Sequence, residues 1–458
     1  MVYQLQKIFG ISNVLLDEAE CAAYGYDNSR QFALPDAVVF ATTDNEIHQL
    51  VELCNQQQIP IVARGRGTGT TGATVPITGG IVVSLERMNQ IIKLDAKNRV
   101  AVVQPGVTNQ ALQNAVGALG FFWPPDPTSA AFCTIGGNLA YNSAGPRAVK
   151  YGTPRENTLG LRGITGAGKK ITTGTYTTKG VVGYDLTRLI IGSEGTLALI
   201  TEATLKLTPL PETKMTIQAV YHNIHTAAQA VSAIMAQPVT PCALEFIDHA
   251  AIEMVRDYAV VDLPKNSGAM LMLEIDGSRA SIAEAGKLLK AAATNQGLIS
   301  FTEAKTQDEI NALWKIRKAL SPALRNVAPK KINEDVVVPV SEIPALVERL
   351  EQLGNQHQIK IVNFGHAGNG NIHVNLLVNP DDPEELSRAY TCLDQVFDCV
   401  IRLNGSLSGE HGVGIEKRDF IDREIAPNSL QLMRDIKAVF DPNNILNPDK
   451  TLPLVKNA

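Results

Sequence analysis

Arg64-Gly-Arg-Gly-Thr-Gly-Thr-Thr-Gly72 is the stretch on which the fold turns. It follows a short apolar run at 59–63 that reads as a strand, itself preceded by a helix over 44–58 with Ile47, Leu50, Val51 and Cys54 on one face. Successive glycines let the backbone adopt positive φ and aim several N–H groups at one anion, and Thr68, Thr70 and Thr71 add hydroxyl donors. A pyrophosphate fits that chemistry. A dinucleotide fingerprint of the Rossmann type does not, because no helical pattern follows Gly72. The chain runs instead through Ala73-Thr-Val-Pro76 to strands at 81–85 and 100–104 and a helix at 108–119.

Four more segments share this character. They are the loop Trp123-Pro-Pro-Asp-Pro-Thr-Ser129, then Thr134-Ile-Gly-Gly-Asn138, Asn142-Ser-Ala-Gly145 and Gly192-Ser-Glu-Gly-Thr196. Another, Gly163-Ile-Thr-Gly-Ala-Gly-Lys169-Lys170, comes close to a nucleoside-triphosphate loop. It lacks the Ser or Thr after the lysine that would hold magnesium, and its apolar flanks at 159–164 and 171–175 read as a hairpin around a glycine turn.

At 458 residues the chain exceeds what one hydrophobic core supports, so at least two domains are expected. The composition changes near Pro209-Leu-Pro-Glu212, which gives a first domain over 1–210, a second over 211–427 and a C-terminal segment, 428–458, returning to the first. Hydrophobic residues at 45% and charged residues at 19% exclude a disordered chain and a coiled coil. A net charge of −5 gives no footprint for nucleic acid. No apolar run reaches the roughly 20 residues of a membrane span, and the N-terminal residues carry acids too early for a secretory leader. Six scattered cysteines without a Cys-x-x-Cys pair argue against a disulfide framework and against an iron–sulfur cluster on this chain. The expectation is a cytoplasmic protein, free or peripheral at a membrane.

Beyond residue 211 strands and helices alternate: strands at 215–221, 243–247 and 269–275, helices at 225–235, 249–258 and 280–295, and a last helix at 430–440. This reads as an α+β domain built on a sheet with helices on one face. Within it lies Asn363-Phe-Gly-His366-Ala-Gly-Asn-Gly-Asn-Ile-His373-Val-Asn375. A straight strand would turn residues seven apart to opposite sides, but the glycine turn at 367–371 folds 359–365 and 372–378 into a hairpin across which His366 and His373 can meet. Asn375 shares the face of His373. A second segment, Gly405-Ser-Leu-Ser-Gly-Glu410-His411-Gly-Val-Gly414, adds a carboxylate and a third imidazole. Two imidazoles and a carboxylate form a three-ligand divalent site with open positions, which suits zinc and leaves manganese and ferrous iron open. His411, adjoining Glu410, is then left as a proton acceptor.

The order RGRGTGTTG, PPDPTS, TIGGN, NSAG and GSEGTL resembles the flavin-binding domain of the vanillyl alcohol oxidase / p-cresol methylhydroxylase family. The resemblance implies a two-domain α+β flavoprotein with a cap domain on an antiparallel sheet. It implies FAD held by Arg64, Gly65, Gly67, Thr68, Gly69, Thr70, Gly72, Pro127, Thr128, Ser129, Gly136, Gly137, Asn138, Ser143, Gly145, Glu194, Gly195, Ile200 and Asn447. Some members attach the flavin through a histidine in the first glycine loop. Residues 64–72 contain none, so noncovalent FAD is expected.

The second half resembles the branch of D-lactate dehydrogenases, D-2-hydroxyglutarate dehydrogenases and the flavin subunit of glycolate oxidase, through Leu313-Trp-Lys-Ile-Arg317, Lys331-Ile-Asn-Glu-Asp-Val-Val-Val-Pro339, both histidine segments and Asn447-Pro-Asp-Lys450. That resemblance implies Arg317, Ser321 and Asn375 as substrate contacts, His366, His373 and Glu410 as metal ligands, and His411 as base. A lysine for a distal carboxylate has no clean match: Asn333 falls there, with Lys330 and Lys331 nearby. The implied activity is FAD-dependent oxidation of a D-2-hydroxyacid, D-lactate before D-2-hydroxyglutarate. Electrons would pass to an external quinone, cytochrome or electron-transferring flavoprotein. The alternatives are a glycolate oxidase flavin subunit working with an iron–sulfur partner, and a non-catalytic flavin- or metal-binding protein. A homodimer is compatible with all three.

Overall fold

The computed structural model describes residues 1–256 and 263–454. The chain forms two units: Met1–Gly145, Gly152–Leu210 and Glu410–Ala458 make the first, and Pro146–Tyr151 with Pro211–Gly409 the second. The division therefore falls earlier than the expected 427, and residues 410–427 belong with the glycine-rich unit. The excursion at Pro146–Tyr151 had no counterpart in the sequence reading. Its reason is polar: Tyr151 Oη donates to Asp276 Oδ2 at 2.8 Å, and Lys150 forms an ion pair with the same carboxylate.

The first unit contains a four-stranded sheet in the order Val14–Leu15, Ala37–Phe40, Ile81–Ser84, Ile61–Arg64. Its last three strands run parallel. Helix Asp44–Gln57 makes the crossover and starts on a capping box, in which Thr43 Oγ1 accepts from the Glu46 N–H while the Glu46 carboxylate reaches back to the Thr43 N–H. Such a cap contributes about 1 kcal/mol. The predicted stripe of Ile47, Leu50, Val51 and Cys54 is fully buried against Val39, Ile61 and Val83. Loop 64–72 thus leaves the carboxyl end of an edge strand, paired in parallel with Ile81–Ser84 and bridged on its other side at Ile61 to Leu446.

A second, antiparallel sheet orders Ile91–Asp95, Val100–Val103, Ala198–Lys206, Thr158–Thr165 and Lys170–Gly174. Ile164 pairs with Lys170 across the turn, so the near-match to a nucleotide loop is a hairpin. Helix Asn109–Gly117 packs Leu112 and Val116 on this sheet's apolar residues. All six cysteines are buried thiols.

The second unit is built on seven antiparallel strands in the order Leu298–Glu303, Thr213–Tyr221, Ala269–Gly277, Ala243–Asp248, Lys360–His366, Asn371–Val378, Lys330–Val337. The expectation of helices on one face is corrected: helices cover both. Helices His249–Arg256 and Gln307–Val327 pack Ile252, Val255, Ile316 and Leu320 against Val220, Ile247, Met270 and Phe364. On the opposite face, Tyr221 donates its hydroxyl to the Ala293 carbonyl at the end of helix Ile282–Ala293, which packs beside Ile224–Ala236; Ile343–His357 and Pro383–Arg402 continue that layer. The cause lies in the strands. Ala243–Asp248 and Asn371–Val378 are buried at every position rather than at alternate ones, so water must be excluded from both sides. The predicted helix over 249–258 is described to Arg256; Asp257 and Tyr258 lie outside the described residues. No helix among the described residues is long and apolar enough to cross a membrane.

Candidate active site

In the first unit the glycine segments interlock by close backbone approach. A Cβ at Gly65 would stand 2.5 Å from Thr134 Oγ1, which ties the first loop to the Thr-Ile-Gly-Gly-Asn turn. Gly145 has φ +82°, and a Cβ there would stand 2.5 Å from the Asp126 carbonyl oxygen, which ties the Asn-Ser-Ala-Gly turn to the proline loop. Among the described residues, the backbone N–H groups of Arg66 to Thr71 donate to no protein acceptor. The hydroxyls of Thr70 and Thr74 are buried without a partner. A run of unmet donors under a loop with no room for side chains is what a pyrophosphate requires, so the residues present fit FAD. Arg64 is buried beneath this loop, donates Nη1 to the Tyr26 carbonyl at 2.6 Å and lies beside Asp27; burial lowers its pKa, and Asp27 works against that fall.

Other implied flavin residues have side chains already occupied. Asn138 Oδ1 accepts from Asn109 at 3.1 Å, and its Nδ2 donates to Cys133 Sγ. Ile200 lies in the apolar core. Asn447 Nδ2 donates to the carbonyls of Ala73 and Glu194 at 2.9 and 2.8 Å. Pro127 is buried, whereas Thr128 is exposed. Glu194 accepts the N–H of Val413 at 2.6 Å and of Gly414 at 2.8 Å. Burial raises its pKa, and these two N–H groups oppose the rise. Glu194 therefore clamps the segment that carries His411. That segment is held further by Thr71 Oγ1 donating to the His411 carbonyl at 3.3 Å and by the Gly145 N–H donating to Glu410 Oε2 at 2.8 Å.

In the second unit, one sheet face collects the predicted polar residues. The hairpin of Lys360–His366 and Asn371–Val378 brings the rings of His366 and His373 to 5.2 Å between centroids, nearly perpendicular, with both side chains buried. On the neighbouring strand Glu245, 1% exposed, places Oε1 at 2.6 Å from His366 Nδ1, and its Oε2 accepts from Arg317 Nε. Burial pushes the Glu245 carboxyl up, but His366 and Arg317 outweigh it, and the net shift is downward. Arg317, on helix Gln307–Val327, lays its guanidinium over Phe364 at 5.1 Å. Among the described residues, its Nη1 and Nη2 bond to no protein group. A buried guanidinium with two unused amino groups is a seat for a carboxylate. Asn375, fully buried, donates Nδ2 to the carbonyls of Val362 and His373 and leaves Oδ1 without a partner. Ser321 is exposed, one turn beyond Arg317, and accepts from Lys331 Nζ at 3.1 Å.

Asp335 stands opposite His373 in the ladder and accepts the Gly409 N–H at 2.9 Å. The residue directly before Glu410 is thereby fixed to the strand beside the histidine pair.

Glu245 was missed in the sequence. Its signal was a lone carboxylate in the apolar strand Ala243–Asp248, where a Glu is almost never fully buried unless paired.

Comparisons with known proteins agree with this geometry. Residues 35–174 match the model of an FAD binding domain, and residues 210–451 match that of the C-terminal domain of FAD linked oxidases. The chain is 39% identical over 98% of its length to glycolate oxidase subunit GlcD of Bacillus subtilis, covering 95% of that protein. It is 32% identical to a D-2-hydroxyglutarate dehydrogenase of Stutzerimonas stutzeri, covering 98% of both chains. It is 33% identical to a D-lactate dehydrogenase of Anaerostipes hadrus, over 94% of this chain and 91% of that one. Among solved structures, p-cresol methylhydroxylase superposes with a TM-score of 0.82 at 19% identity, covering 100% of this chain and 97% of that one, which supports the fold alone. With glycine loops suited to FAD, an antiparallel cap sheet and these matches over nearly its full length, the chain belongs to the FAD-linked oxidases, a family of oxidoreductases.

Proposed function

We propose that this protein oxidises a short D-2-hydroxyacid of the D-lactate class to its 2-oxoacid, with noncovalent FAD as the immediate acceptor and a divalent ion, zinc before manganese or iron, held by His366, His373 and Glu410. The observation that carries the reading is Arg317: a buried guanidinium, oriented by Glu245, with both Nη groups unused, beside two buried imidazoles. The three relatives act, by their names, on glycolate, D-lactate and D-2-hydroxyglutarate, which share a carboxylate next to a hydroxyl-bearing carbon. A single buried guanidinium favours a monocarboxylate over hydroxyglutarate.

When bound, the flavin supplies a hydride acceptor and the ion a Lewis acid for the hydroxyl oxygen. The protein's own groups do the rest. Arg317 grips the carboxylate through both Nη groups and fixes C2. Asn375 lines the same face as the histidine pair, and Ser321 works at the exposed rim. His411 takes the hydroxyl proton as the C–H bond breaks. Burial of Arg317, His366 and His373 excludes bulk water and strengthens each of these interactions. Reduced protein then passes its electrons to an external acceptor.

The second reading is a glycolate oxidase subunit that needs its companion chains; the name of the Bacillus subtilis relative favours it. Anaerobic flavin bleaching of the purified chain with a panel of D- and L-hydroxyacids tests both. Bleaching by D-lactate but not L-lactate is expected. Bleaching only by glycolate and only with added subunits supports the second reading, and no bleaching by any hydroxyacid overturns the proposal.

A further inference from the structure

Glu245 lies outside every motif named above, yet it touches both halves of the polar sheet face. Its two oxygens take different partners: Arg317 through Nε and His366 through Nδ1. At 1% exposure it has no water to share, and no other protein group hydrogen-bonds its carboxylate among the described residues. Arg317 Nε is always a donor. His366 Nδ1 is a donor only if that nitrogen carries the proton, which leaves Nε2 with a lone pair for an ion. A carboxylate accepts at both oxygens and so suits two donors.

We propose that Glu245 is a positioning residue that holds the proton of His366 on Nδ1, so that Nε2 can ligate a divalent ion, while it fixes the Arg317 guanidinium so that both Nη groups are left for the substrate carboxylate. The inference rests on the functional reading above and adds one residue that ties substrate anchor to ligand. It follows that the ion site and the carboxylate site share a support, and one substitution loosens both.

Glu245→Gln gives the sharp test, because glutamine keeps the shape but offers one acceptor and one donor. With Nδ1 protonated, the amide satisfies either His366 or Arg317 and sets its NH₂ against the other. With the proton on Nε2 instead, the amide would serve both partners and the change would be silent. Zinc is titrated calorimetrically into chelated, FAD-loaded protein without substrate, and KM for D-lactate is measured at saturating zinc. A 10- to 100-fold weaker zinc site, a KM raised about tenfold, or both, is expected, with the flavin spectrum unchanged. Zinc affinity and KM both within twofold of wild type would overturn the proposal. Histidine ¹⁵N NMR of the metal-free protein, with the His366 signal assigned by its loss in His366→Gln, reads the proton directly. A proton on Nδ1 is expected; a proton on Nε2 alone would overturn the proposal whatever the substrate proves to be. Failure of the wild type to bind zinc would count against the metal reading, while the NMR result still decides the role of Glu245.

Discussion

The glycine loops and the cap sheet make their binding groups from different parts of the chain. In the first unit the unmet donors are backbone N–H groups from Arg66 to Thr71 with the hydroxyls of Thr70 and Thr74 beside them, while the longer buried polar side chains are engaged with the protein. Lys450, for example, donates to the carbonyls of Ala73 and Val75 and to Asn447 Oδ1, with its pKa pushed down to about 8 by burial. In the second unit the backbone is satisfied by the ladder, and the unused groups are side-chain atoms: Arg317 Nη1 and Nη2, and Asn375 Oδ1. A backbone site is broken by adding atoms, because its specificity is the absence of side chains. A side-chain site is broken by removing them. The difference predicts which substitutions disturb which ligand.

The largest expected effect is at His411, the proposed base. His411→Asn should keep FAD and zinc but slow anaerobic flavin reduction by D-lactate about 10²- to 10⁴-fold, the usual range for general-base catalysis. Metal loss in this variant, or bleaching at the wild-type rate, would show that His411 has been given the wrong role. A smaller effect is expected where the backbone itself is the binding group. Gly67→Ala, inside the run of unmet N–H groups, adds one methyl at φ +64° against the buried Arg64 guanidinium. Strain and overpacking of about 1–3 kcal/mol should weaken FAD retention about tenfold in dilution or dialysis, while zinc titrates normally. An unchanged FAD affinity would break the distinction between the two kinds of site.

Legibility in the sequence follows the same division. The glycine loops were readable as turns because each is a contiguous run whose glycines state the backbone constraint directly, and the hairpin of His366 and His373 was readable for the same reason. The strands came through because their apolar runs are long: 269–275 was expected, and Ala269–Gly277 is found. Glu245 was not readable as a partner of Arg317 and His366, because it is separated from them by 72 and 121 residues and the contact exists only once the strand order is fixed. The same holds for Pro146–Tyr151, which joins the second unit through Asp276. Helices on both sheet faces could have been inferred from Ala269–Gly277, whose first five residues are all apolar. The boundary near 427 was misjudged because the anchors of the returning segment, Glu194 and Gly145, lie more than 200 residues upstream.

The central claim is that the flavin is held by one set of groups and the hydroxyacid by another that requires an ion. Exhaustive chelation of the purified protein, followed by anaerobic mixing with D-lactate, tests it most directly. The account predicts that the yellow colour stays with the protein, that bleaching stops, and that zinc or manganese restores it. Full-rate bleaching in protein shown by metal analysis to be free of divalent ions would contradict it.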